Sequence, residues 1–205
     1  MSQIGTVAAS GPRWATVTRA TKETQITVTL KLDGTGVTKI ETGVGFYDHL
    51  LISMAHHALF DLEIAATGDL VIDEHHTVED VALVLGAALA ESLGDRAGIA
   101  RFGDAAVPMD ESVATAVVDV GGRPYAVVDL PFRGKRAGKL PLELIDHTLE
   151  SFARAGGVTL NIRGRGRNDH HLAEAAFKAL GRALCAAVAI ELRRQGVAST
   201  KGSLG

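Results

Sequence analysis

YDHLLISMA (Tyr47–Ala55) and IDHTLESFA (Ile145–Ala153) are one pattern written twice, with Asp48-His49 falling on Asp146-His147 and the apolar positions in the same phase. An internal repeat governs every later inference about a fold, so the rest of the chain is read for the same duplication. Downstream, FDLEIAATGDL (Phe60–Leu70) parallels VTLNIRGRGR (Val158–Arg167), both alternating as half-buried strands do before a Gly-containing turn. Each copy then reaches a histidine pair. HHTVEDVALVLGAALAESLG from His75 and HHLAEAAFKALGRALCAAVAIEL from His170 carry apolar residues at three-and-four spacing, which predicts long helices. Upstream, KETQITVTLKLDGTG from Lys22 aligns without gaps on DESVATAVVDVGGRP from Asp110, so that Glu23 faces Glu111 and Gly34 faces Gly122; both read as strand, turn, strand.

Each half therefore reads as strands, helix, strand, helix. We expect a first half over 13–95, a second over 96–194, a flexible N-terminal dozen (1–12) and a small, polar tail (195–205) that is mobile unless anchored. Two halves that each have a sheet and two helices to cover should pack into one compact α+β unit with the sheets against a helical layer. At 205 residues and 46% hydrophobic content the chain has enough apolar material for such a core. Scarce aromatics (4%) and 23 glycines point to small-residue packing and tight turns. A formal net charge of -3 disfavours nucleic-acid or anionic-lipid partners. No basic-then-apolar leader and no run of about 18 apolar residues is present, so a soluble cytoplasmic protein is expected. Cys185, the only cysteine, excludes a disulfide within the chain and reads as a small core residue.

The chemistry lies in the eight histidines. Residues at i and i+4 share a helix face, so His75 with Glu79, and His170 with Glu174, can each grip a metal ion. The second histidine of each pair, His76 or His171, points about 100° around the helix and needs a different site. His49 and His147, placed equivalently in the repeat, add one ligand per half. Six histidines and two glutamates divide into two ions, each with three His and one Glu. His56 and His57 lack a Glu four residues on and read mainly as structural. Imidazole and carboxylate without thiolate suit manganese, iron, zinc or nickel, with open positions for water or substrate.

The DH and HHTVED or HHLAEAAFKA repeats, the RFGDA and DVGGRPY strings and the terminal STKGSLG resemble imidazoleglycerol-phosphate dehydratase of histidine biosynthesis, over roughly residues 13 to 205. The resemblance implies two manganese ions per active site on the ligands just named. It also implies ribosomal-protein-S5-domain-2-like halves and a homo-oligomer, a 24-subunit shell with sites shared between subunits. It places Glu23 in the substrate site as a proton-transferring group, with Glu174 as ligand and proton acceptor. His49, His57, His75 and His170 are expected to touch the phosphorylated imidazole substrate. Arg101, Arg123, Lys178, Ser199 and Lys201 are expected at its phosphate, through charge-assisted hydrogen bonds.

The reaction fits the residues. The proton lost in the dehydration sits next to no carbonyl and is poorly acidic. Two metal ions, one on each ring nitrogen, would stabilise an imidazolate whose electrons expel the adjacent hydroxyl, leaving a diazafulvene from which a carboxylate can take the neighbouring proton. Rival classes remain at this level: a dimetal hydrolase releasing inorganic phosphate, and a non-enzymatic metal-storing shell. Arg163, Arg165 and Arg167 alternate along a strand, and in an acidic chain without aromatic partners they read as a solvated or subunit-contact face rather than an RNA stripe.

Overall fold

The computed structural model describes residues 13–204; the segment 1–12, read as flexible, lies outside the described residues. The first half runs β1 (Trp14–Ala20), β2 (Thr24–Lys31), β3 (Thr38–Glu41), α1 (Gly45–Ala58), β4 (Asp61–Gly68) and α2 (His75–Leu93). The second repeats it as β5 (Phe102–Met109), β6 (Ser112–Asp119), β7 (Tyr125–Asp129), α3 (Glu143–Gly156), β10 (Thr159–Arg165) and α4 (Asp169–Val188). One insertion breaks the symmetry: the small hairpin β8 (Arg136–Ala137) and β9 (Leu140–Pro141) precedes α3.

The strand orders, β1-β2-β4-β3 and β5-β6-β10-β7, are identical. In each sheet the last connection is a parallel crossover through a helix, β3-α1-β4 and β7-α3-β10, and the other pairings are antiparallel. Period-two alternation explains why one face of each sheet is buried. Ile26, Val28 and Leu30 of β2, with Leu62 and Ile64 of β4, point at the helices. Thr16 and Thr29, then Thr18 and Thr27, pair their hydroxyls across the opposite face. The matching face of the second sheet carries Arg163 and Arg165, both exposed.

The helices join the halves. α2 packs on its own sheet and on α3 of the other half, while α4 packs on its own sheet and on α1. Small residues bring these helices together backbone to backbone. A Cβ on Gly86 of α2 would sit 2.6 Å from the Phe152 carbonyl oxygen of α3, and one on Gly181 of α4 would sit 2.2 Å from that of Met54 in α1. Tyr47 lies fully buried at the centre, accepting from Thr148 Oγ1 of α3 (3.1 Å) and donating to the Val78 carbonyl of α2 (3.3 Å). That burial raises its phenol pKa further than the favourable Thr148 contact lowers it.

One sequence expectation changes, and the condition set on another is met. Cys185 is only half-buried, on a side of α4 that the core does not cover. The tail is anchored: Arg101 Nη1 donates to the Ala198 carbonyl at 2.6 Å, Gly98 N donates to Gly196 O at 2.8 Å, and Ala97 bridges Val197.

Candidate metal centres and anion pocket

Two ligand groups combine two histidines with one glutamate, and each is made by both halves. His49 of α1 meets His170 and Glu174 of α4; His147 of α3 meets His75 and Glu79 of α2. In each trio the three donor atoms lie within 4.8 Å of one another. His49 Nε2 stands 3.0 Å and His170 Nε2 3.3 Å from Glu174 Oε2. In the other trio His147 Nε2 stands 3.5 Å from Glu79 Oε1 and His75 Nε2 3.8 Å from Glu79 Oε2. Helix starts explain the placement. Asn168 caps α4 by accepting from the backbone N–H groups of His170 and His171. Asp48 Oδ1 accepts Thr42 N at 3.0 Å and Thr42 Oγ1 at 2.5 Å, fixing the turn that carries His49.

The residues fit a cation. His49 Nε2 and His147 Nε2 are both buried and without a hydrogen-bond partner, although a carboxylate oxygen is near each. In each trio such a nitrogen and a second imidazole nitrogen converge on one carboxylate, which suits a shared ion better than a hydrogen bond. Burial pushes the Glu174 carboxyl up, but the Lys178 ammonium at 2.7 Å and His49 outweigh it and hold the pKa at about 2, so Glu174 is an anion.

The second histidines face elsewhere, as the 100° rotation requires. His76 Nδ1 lies 3.0 Å from Asp69 Oδ2 and 3.7 Å from Glu23 Oε2; His171 Nδ1 lies 2.9 Å from Glu111 Oε2. A carboxylate on Nδ1 leaves Nε2 as the nitrogen free to bind a cation. Within one chain each trio thus has two histidines and one glutamate, and neither His76 nor His171 joins a trio. Glu23, Asp69 and His76 form a third group of potential ligands.

Four residues expected at a phosphate converge on a pocket of about 400 Å³: Arg101, Arg123, Ser199 and Lys201, with Gly121 and Thr200 beside them. Asp119 forks onto Arg101 at 2.7 and 2.8 Å and fixes the guanidinium, whose Nη1 also holds the tail. Lys178 is placed differently, paired with Glu174 rather than lining this pocket. His57 lies in the last turn of α1, where burial first, then the charges of His56, Lys178 and Arg182, lower its pKa. Asp69, Asp80 and Thr24 were not singled out from sequence. Their one signal was the final residue of HHTVED, since His76 and Asp80 share the i, i+4 spacing of His75 and Glu79.

Duplicated α+β halves that exchange histidine and carboxylate donors across a shared helical layer define a class of internally repeated proteins with paired His-His-Glu centres. Within that class, the chain belongs to the imidazoleglycerol-phosphate dehydratase family, whose model matches residues 42–184. The imidazoleglycerol-phosphate dehydratase of Methanoculleus marisnigri is 55% identical over 192 residues, 94% of this chain and 100% of the relative. The Pyrococcus furiosus enzyme, solved in complex with (S)-C348, is 37% identical, with a TM-score of 0.79 over 92% of this chain and 100% of that one. The Staphylococcus aureus N315 enzyme is 33% identical at a TM-score of 0.79, over 87% of this chain and 99% of the other.

Proposed function

We propose that this chain dehydrates imidazoleglycerol phosphate to imidazoleacetol phosphate in histidine biosynthesis, using two manganese ions per active site. The observation that carries the reading is the matched pair of trios, His49–His170–Glu174 and His147–His75–Glu79. A substrate whose ring has two nitrogens is the ligand for which two equivalent cation centres have a use. Held by these residues, the two ions would supply positive charge that favours the anionic form of the substrate ring and so the loss of the neighbouring hydroxyl.

The chain's own residues do the rest. Glu23, exposed at a hairpin tip beside His76, transfers protons to the departing hydroxyl or from the next carbon. Removal of that proton gives an enol, which tautomerises to the ketone. Glu174 is held ionised and serves as a ligand, with proton acceptance as its second role. His49, His75 and His170 reach the ring side of the substrate, with His57 at the end of α1 and Lys178 paired to Glu174 as further substrate contacts. Arg101, Arg123, Ser199 and Lys201 take the phosphate, with Arg101 pre-aligned by Asp119.

The site is shared between copies. Gly157, whose carbonyl accepts from Gly122 N at the pocket edge, follows the end of α3 ten residues after His147, roughly 15 Å of helix. From Asp119 to Glu111, the partner of His171, is eight residues of β6, roughly 27 Å. A ring and a phosphate joined by three carbons span neither distance, so the anion pocket of one chain works with centres of another. This supports a homo-oligomer, for which the 24-subunit shell is our reading. His76 and His171 then complete three-His, one-Glu sets across subunit contacts. Among the described residues no helix is long and apolar enough to cross a membrane, and a cytoplasmic enzyme with no nucleic-acid partner is our reading.

Turnover of imidazoleglycerol phosphate by chelated protein, with and without restored manganese, tests the proposal. We expect no activity without metal and imidazoleacetol phosphate with it. Release of inorganic phosphate would favour a hydrolase, and uptake of many ions without turnover a storage shell.

A further inference from the structure

Glu23 and Glu111 occupy matching positions at the tips of matching hairpins, yet the two hairpins are fastened by opposite means. Glu111 uses its own carboxylate. Its Oε1 accepts from Arg167 N (3.0 Å), Asn168 N (2.8 Å) and Ser112 Oγ (3.0 Å), while Oε2 meets His171 Nδ1 (2.9 Å). These bonds, His171 foremost, hold it well below the usual carboxylate range and tie the β5–β6 turn to the start of α4. A carboxylate held by four donors is a poor base for a substrate proton.

Glu23 makes no side-chain hydrogen bond among the described residues, and its side chain is 57% exposed. Its neighbour does the fastening. Thr24, only 4% exposed, donates Oγ1 to Asp80 Oδ2 at 2.5 Å, and Asp80 Oδ1 accepts Arg19 Nε at 2.9 Å. The turn itself is closed by Thr21 N to Thr24 O (2.8 Å), and Thr21 Oγ1 accepts Glu23 N (3.1 Å) and Thr24 N (2.9 Å). Asp69 engages His76 Nδ1 at 3.0 Å, the contact that Glu111 makes in the other half. The second repeat lacks these parts: Ala175 stands where Asp80 would be, Val107 for Arg19 and Arg167 for Asp69.

We propose that Asp80, acting through Thr24, is a positioning residue for Glu23: it anchors the β1–β2 hairpin on α2, so that the Glu23 carboxylate is held beside His76 without being consumed in holding it. Asp69 completes the arrangement by satisfying His76 in place of Glu23. Asp80 sits one helical turn after His76 on the same face, so one side of α2 sets both the histidine and the height of the hairpin above it. The divergence explains how a duplicated chain has one free carboxylate for proton transfer. The inference rests on the acid–base reading of Glu23.

The test is Thr24→Val, which removes the hydroxyl at constant volume, compared with Thr24→Ser, which restores it. With Thr24→Val, kcat should fall about 10- to 100-fold, with KM within about threefold, as expected when a reacting group is misplaced by about 1 Å. Manganese content and assembly should be unchanged, and Thr24→Ser should return kcat to within about threefold of the parent. Adding Thr24→Val to Glu23→Gln should slow the enzyme no more than about twofold beyond Glu23→Gln alone. Should Thr24→Val not fold, Asp80→Asn is read the same way, since it keeps the shape and loses the ionic hold on Arg19. Parent-like kcat in Thr24→Val, multiplying losses in the double variant, or loss of manganese would each overturn the proposal. Near-normal turnover in Glu23→Gln alone removes the acid–base reading and the inference with it, by a separate measurement.

Discussion

Replacing Gly181 by Ala sets two effects against each other and tests whether one metal centre depends on the contact between halves. Gly181 lies inside α4, where Ala is favoured over Gly by about 1 kcal/mol. The new Cβ, however, would stand 2.2 Å from the Met54 carbonyl oxygen of α1, against 3.4 Å for the start of ordinary contact. Backbone is the obstacle, so no side chain can swing away, and the helices must part by about 1 Å. Overpacking of this kind costs about 1–3 kcal/mol, which leaves a net loss of about 1 kcal/mol and a Tm lowered by about 2–4 °C. The same separation acts on His49 of α1 and Glu174 of α4, whose atoms stand 3.0 Å apart. Ligand sets tolerate displacements of about 0.5 Å, so manganese affinity at that centre should drop about 10- to 100-fold. The His75–Glu79–His147 centre, held by α2 against α3, should keep its affinity. Calorimetric titration of chelated protein, alongside thermal melting, reads both. A raised Tm with two parent-like binding events would refute the reasoning, because the propensity gain would have won and the helices would not have moved.

Glu23→Gln should leave manganese content unchanged and cut turnover by orders of magnitude, whereas His170→Ala should lose metal; metal analysis beside single-turnover kinetics separates them. Glu111→Gln should lower thermal stability, since Arg167 N, Asn168 N and His171 lose an ionised acceptor, yet retain far more turnover than Glu23→Gln. Asp119→Asn should raise KM with little change in kcat by releasing the Arg101 fork, which substrate-saturation curves will show. That variant also carries a pH signature. Burial pushes the Asp119 carboxyl up, but the Arg101 guanidinium brings it below its ordinary 3.8. Its stabilising effect is therefore present above that value and lost as pH falls through the lower folded pKa. The gap in denaturation midpoint between parent and Asp119→Asn should narrow below pH 3.8; a gap that widens on acidification would contradict the assignment.

Much of this molecule is local and so was open to reading along the chain. The period-two and three-to-four patterns depend only on neighbours in sequence, and the repeat doubled each signal. Hence the order of strands and helices and the divergent directions of His75 and His76 followed from spacing. The hairpin β8–β9 had no counterpart in the first repeat and no strong alternation, and it went unforeseen.

What lies between elements far apart in sequence was decided by packing alone. Spacing assigned one extra histidine to each half, but the close approach of α1 to α4 and of α2 to α3 hands His49 to Glu174 and His147 to Glu79, crossing the halves. Lys178 read as one more cation until the fold set it against the buried Glu174. Glu23 and Glu111 are equivalent in the repeat, and only the contacts of Thr24 with Asp80 and of Glu111 with α4 distinguish them. The physical reason is the same in each case: periodicity determines which face of an element a residue occupies, while the residue it meets there depends on which other element covers that face.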